Sequence, residues 1–127
     1  MTVRLNHTIV AAHDKKASAR FLADILGLEV SPQYSPFIPV EIPNGVTLDY
    51  LESPGAITPQ HYAFLVSEDD FDTIFDRIRE AGLTYWADPF HSRPGEINRN
   101  DGGRGTYFDD PNGHNLEILT RPYGSGG

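Results

Sequence analysis

The chain reads as one structural unit written twice. His7 sits on an alternating, β-rich stretch and is followed 20 residues later by Gly27, while His61 sits on a second such stretch and is followed 21 residues later by Gly82. Between each histidine and its glycine lie a helix N-cap residue and an apolar stripe at helical spacing. In the first copy these are Asp14, then Ala17, Phe21, Leu22, Ile25 and Leu26; in the second, Ser67, then Phe71, Ile74, Phe75, Ile78 and Ala81. Short extended pieces follow each glycine. The two histidines are 54 residues apart (61 − 7). A recurring strand–helix–strands unit restricts the fold to two like modules, each covering one sheet face with a helix.

The pieces can be placed in more detail. Strands are expected over 3–11, 37–42, 46–51, 61–66, 106–109 and 115–120, with shorter ones near 28–30 and 83–86. Asn44-Gly45 is a hairpin signal, and Asp110-Pro111-Asn112-Gly113 is a tight turn that folds two strands antiparallel. Asp70 stands three residues after Ser67, at the capping-box position. Residues 88–105, rich in Pro, Gly, Asn and Asp, read as one long loop, a length usually tied to function or mobility. The expected class is α+β. The 127 residues form a single domain: module 1 about 1–52, a linker at 53–59, module 2 about 60–121, and a flexible tail at 122–127.

Composition removes several classes of function. The net charge of −8 and the scattered arginines (93, 99, 104 and 121) exclude a nucleic-acid-binding stripe. With no cysteine there is no disulfide framework, thiolate metal site or cysteine nucleophile. No window has the length and apolarity of a membrane span, and no secretory leader is visible at the N-terminus, so a cytoplasmic location with no membrane partner is expected.

Three residues fall where chemistry would need them. Strand alternation puts Leu5, His7, Ile9 and Ala11 on one face, His61, Ala63 and Leu65 on another, and Asn115, Glu117 and Leu119 on a third. His7 and His61 occupy equivalent repeat positions. Two neutral imidazoles and a carboxylate are the ligand set of a facial triad, which suits Fe(II) and also Mn, Ni or Zn. Taken singly, each is more often an ordinary strand residue than a ligand. The remaining histidines are placed differently: His13 and His114 are expected to be solvated, and His91, in the long loop, is a weaker site candidate.

Three segments resemble the vicinal oxygen chelate superfamily, which includes glyoxalase I, extradiol dioxygenases and bleomycin-binding proteins. They are Leu5-Asn6-His7, the opening His61-Tyr62-Ala63-Phe64, and the run Tyr107-Phe108-Asp109-Asp110-Pro111-Asn112-Gly113-His114-Asn115-Leu116-Glu117. The resemblance implies two tandem βαβββ modules forming a cup-shaped mixed β-sheet. It implies metal ligands on the first, fifth and eighth strands, which here are His7, His61 and Glu117. Glyoxalase I takes a fourth ligand from the fourth strand; this chain offers Asp49 there and Glu52 at the strand end. Asp49 is therefore either an acid or base beside the metal or an outward-facing strand residue. Tyr107 matches an active-site tyrosine of extradiol dioxygenases, and is otherwise a packed strand aromatic. Four further stretches resemble the ChaP-like subgroup of aromatic polyketide oxygenases: 59–64, 85–89, 93–96 and 100–105.

The expected function is thus a metal-dependent oxygenase. It would cleave or rearrange a C–C bond of an aromatic polyketide-type diol or hydroxyketone chelated to the metal, with O2 as co-substrate. Phe37, Tyr50 and Trp86 are candidates for pocket walls or for core, and His91, Arg99 and Arg104 for substrate contacts. Reduced flavin, if required, would arrive as a diffusible reagent, because the chain has no dinucleotide fingerprint. The family implies a homodimer. Two alternatives share the fold: a glyoxalase-like isomerase or thiol transferase, and a non-catalytic protein that binds an aromatic metabolite.

Overall fold

A computed structural model describes residues 1–126. Gly127, the last residue of the tail expected to be flexible, lies outside the described residues. The chain divides into two compact units, 1–57 and 58–127. Each is a mixed sheet with one helix, so the class is α+β.

The first unit contains β1 (His7–Ala12), α1 (Lys15–Leu26), β2 (Ile38–Ile42) and β3 (Val46–Glu52). Helix α1 begins where Asp14 accepts a hydrogen bond from the Ala17 amide at 3.1 Å. It ends at Gly27, whose φ of 76° is the left-handed conformation that glycine adopts without strain. Asp14→Ala should cost about 1 kcal/mol of stability by loss of that cap, measurable by chemical denaturation. The sheet order is β1-β3-β2, with β1 parallel and β2 antiparallel to β3. Gly45, at φ 93°, turns the β2–β3 hairpin as the Asn-Gly pair predicts. The strand expected at 28–30 is reduced to one bridge, Val30 with Val40. Pro39, beside Val40 in β2, has no amide with which to extend that bridge into a ladder.

The second unit repeats this plan more fully. It contains β4 (His61–Leu65), α2 (Glu68–Glu80), β5 (Tyr85–Trp86), β6 (Gly105–Asp109) and β7 (Asn115–Leu119), in the sheet order β4-β7-β6-β5. Again the first strand runs parallel to the central one and the others pair antiparallel. Ser67 Oγ accepts from the Asp70 amide at 3.0 Å, so the expected cap forms. Phe71, Ile74 and Ile78 are the buried stripe of α2, each contributing about 1.5–3 kcal/mol by leaving water. Phe75 meets Tyr85 edge-on at 4.9 Å, which marks the helix side of the sheet. Phe108, Leu116 and Ile118 are buried with them.

One expectation is corrected here. His114 is not solvated; it is fully buried, and its Nδ1 accepts from the Gln60 amide at 3.0 Å. The turn explains this, because the Asp110 carboxylate binds the Asn112 and His114 amides and draws the chain inward. A turn closes at 122–125, and Tyr123 lies on the sheet. Among the described residues, no helix is long and apolar enough to cross a membrane.

Candidate active site

Strand register assembles the site on the face of the second sheet that α2 leaves open. Cross-strand partners point to the same side. His61, Asn115 and Asp109 therefore form one row, and Ala63, Glu117, Tyr107 and Trp86 the next. His61 leans diagonally between the rows. Its Nε2 lies 3.1 Å from Glu117 Oε1, and its ring stacks at 5.8 Å on Tyr107.

Glu117 is only 1% exposed, whereas the His61 side chain is 44% exposed. Tyr123 completes the group. Its hydroxyl is 2.7 Å from each Glu117 oxygen and 2.8 Å from the Tyr107 hydroxyl. Burial holds the Tyr107 phenol above its ordinary range; the bond to Tyr123 offsets this in part, and the negative Glu117 adds to it. Burial, then the bonds to Tyr107 and Glu117, push Tyr123 higher still. Both phenols therefore keep their protons at neutral pH. Tyr123 donates to the carboxylate, and Tyr107 donates to Tyr123.

Proton bookkeeping on His61 defines what the site can hold. Nδ1 lies 2.8 Å from the backbone carbonyl of Asn115, and a carbonyl can only accept. Nδ1 thus carries the ring proton. In the neutral imidazole, Nε2 then presents a lone pair to a carboxylate that also only accepts. Two acceptors converging at 3.1 Å need a cation between them, either a second proton or a metal ion. A ligating histidine characteristically donates its other N–H to a backbone carbonyl, as here. The donor set fits a divalent ion.

Among the described residues, no three histidine or acidic side chains converge to hold an ion, so the structure brings together two of the three expected ligands. The third, His7, begins β1 in the first unit, with its Nδ1 2.7 Å from Asn6 Oδ1. It shares a face with Asp49, because β1 and β3 register Ile9 opposite Asp49. Tyr50 points the other way and is buried in the core of its unit.

The loop candidates separate. His91 is at the site. Its ring lies flat on Trp86 at 3.6 Å, and its Nε2 is 3.2 Å from Asn115 Oδ1 and 3.6 Å from Asp109. Burial raises Asp109, partly offset by His91. His91 also has a φ of 60°, a conformation that is uncommon outside glycine and more often found where function holds it. Arg99 is exposed before the turn at Asn100–Gly102. Arg104, expected as a substrate anchor, is committed to α2 instead. It binds Glu68 Oε1 at 2.8 Å, Asp72 Oδ1 at 2.7 Å and the Glu68 carbonyl at 3.0 Å, and lies 4.4 Å over the Phe71 ring. Arg104→Met should lower Tm and leave the substrate KM unchanged. A raised KM with an unchanged Tm would return Arg104 to the site.

Sequence reasoning missed Tyr123 and the part played by Asn115. The available signal for Tyr123 was its isolation: one aromatic after Pro122, in a tail otherwise of Gly and Ser.

Residues 4–118 match the model of the Glyoxalase/Bleomycin resistance protein/Dioxygenase superfamily. The solved structure of "Oxidase ChaP-H2" is 91% identical, superposes with a TM-score of 0.98, and is matched over 100% of both chains. That of "Oxidase ChaP-H1" is 63% identical with a TM-score of 0.94, over 97% of this chain and 99% of that one. The "Glutathione transferase FosA" of Serratia marcescens is 32% identical over 93% of this chain and 81% of its own length. The chain is an enzyme and belongs to the Glyoxalase/Bleomycin resistance protein/Dioxygenase superfamily, with the vicinal oxygen chelate fold.

Proposed function

We propose that the protein is a metal-dependent oxygenase acting on an aromatic polyketide-type diol or hydroxyketone, with His7, His61 and Glu117 as ligands. The observation that carries this reading is the pair of acceptors, His61 Nε2 and Glu117 Oε1, facing each other at 3.1 Å. The naming of two close relatives as oxidases supports the choice of oxygen chemistry. Fe(II) is the favoured ion, since two imidazoles and a carboxylate leave positions open; Mn, Ni and Zn accept the same donors. The bound ion would supply a Lewis acid for two vicinal substrate oxygens and a binding place for O2.

The chain's own residues do the rest. Glu117 and His61 fix the position of the reacting oxygens, and positioning supplies much of the rate. Tyr107, protonated and stacked on His61, donates a hydrogen bond to a substrate oxygen. Asp49 would accept a proton from a substrate hydroxyl. Trp86 and His91, already parallel, offer a flat surface to an aromatic ring. Reduced flavin, where needed, is a diffusible co-reagent. The protein works as a homodimer, the arrangement the family implies.

The test is metal content and oxygen use on protein purified anaerobically without a metal-affinity tag. About one iron per chain, and turnover of aromatic diols only under O2, are expected. The 32% identity to a glutathione transferase favours thiol transfer as the second reading. Zinc or manganese with oxygen-independent turnover of a thiol and an electrophile would establish it and overturn the first.

A further inference from the structure

We propose that Tyr123 is a removable cap on the Glu117 carboxylate: its phenol holds the buried carboxylate while no metal is bound, and leaves at least one carboxylate oxygen when a metal ion binds. The inference rests on the metal-site reading above and adds a competitor to it. Glu117 is almost wholly buried, and His61 meets one of its oxygens, at 3.1 Å. A desolvated carboxylate with so few partners is costly. The Tyr123 hydroxyl supplies what is missing, reaching both oxygens at 2.7 Å. Its single proton lies where an ion would need the carboxylate lone pairs.

The geometry of the tail makes this cap easy to remove. The Tyr123 residue is 62% exposed, so its hydroxyl enters the site while much of the residue stays in water. It stands on a short turn, in which the Ser125 amide donates to the Pro122 carbonyl at 3.1 Å. Beyond it, the Gly126 amide lies 3.5 Å from Asp101 Oδ1, and an added Cβ at Gly126 would strike the Asp101 carbonyl at 2.0 Å. The segment is seated closely enough to place the phenol, with little buried surface to lose when the phenol moves. Tyr107, 2.8 Å away, can follow the hydroxyl or turn to the substrate.

Two roles for Tyr123 make opposite predictions. A phenol that competes with the ion lowers apparent metal affinity, so its removal tightens binding. A phenol that donates to an oxygen the ion leaves free orients the ligand, so its removal weakens binding by about 10–100-fold. The experiment titrates the metal-free full chain, the Tyr123→Phe variant, and a chain ending at Pro122 with Zn(II) against a chromophoric chelator. Both altered chains should bind Zn(II) about 10-fold tighter than the parent. Without metal, the Tyr123→Phe chain should melt below the parent, because Glu117 has lost its donor. Equal or weaker Zn(II) binding in both overturns the cap while leaving the metal site standing. No Zn(II) uptake by any of the three chains overturns the metal reading itself, and the cap with it.

Discussion

Glu117→Ala is expected to lose the bound metal on desalting, with an affinity more than about 100-fold below the parent's, and to show no turnover above background. The magnitude follows from what Glu117 does. Outlying residues that merely orient a ligand already cost about 10–100-fold when removed. Glu117 is a ligand in the proposed site, faces His61 Nε2, and accepts from Tyr123. Glu117→Gln separates charge from shape. It keeps a carbonyl oxygen for Tyr123 to donate to, but offers the ion a neutral donor. Without metal, this variant should melt no lower than the parent, because it no longer buries a carboxylate. Metal content by elemental analysis and a thermal melt read the two effects apart. A Glu117→Ala protein that retained both metal and activity would remove Glu117 from the site.

Phe108→Ala should cost about 3–5 kcal/mol, the usual range for emptying a buried aromatic position. Phe108 is fully buried on β6, registered opposite Tyr85 on one side and Leu116 on the other. That places it on the helix side of the sheet, one residue after Tyr107 on the open side. A domain of ordinary stability, about 5–15 kcal/mol, loses a large share of it. Urea unfolding of the metal-free protein would measure the loss without a contribution from bound metal. A cost below about 1 kcal/mol would mean the two layers collapse around the gap and that β6 is not a central support. Because β6 also carries Tyr107, surviving Phe108→Ala protein should show a lowered kcat.

How far these features could be read beforehand depends on the range of the interactions that make them. Asp14, Gly27 and Ser67 act on backbone groups within four residues of themselves, and the sequence marks them clearly. The duplication of His7 and His61 was legible for the same reason, since each copy carries its own local punctuation. Strand register needs partners far along the chain. Val30 and Val40 make one bridge, and Tyr85–Trp86 only a two-residue strand, because ladder length is set by what lies opposite. His114 sits beside a turn, where solvent exposure is the ordinary expectation. The Asp110 carboxylate and the Gln60 amide, the latter 54 residues away, together make it core. Arg104 looked like an anion anchor because its neighbours are glycines; its true partners lie 32 and 36 residues earlier on α2. Tyr123 was hidden by composition, since a Gly/Ser tail gives no periodicity to read.

The His61 ring takes its orientation from a main-chain oxygen, the carbonyl of residue 115. Every amino acid at that position would present the same carbonyl. Mutation can therefore redraw the Asn115 side chain, and with it the contact to His91, while the tautomer of His61 stays as it is. Only a slip of β4 against β7 would disturb it, and such a slip would turn the inner face of β4 outward. A lineage built on this strand pair inherits with the fold the ring nitrogen that faces Glu117, and is left free to vary the loop and tail around it.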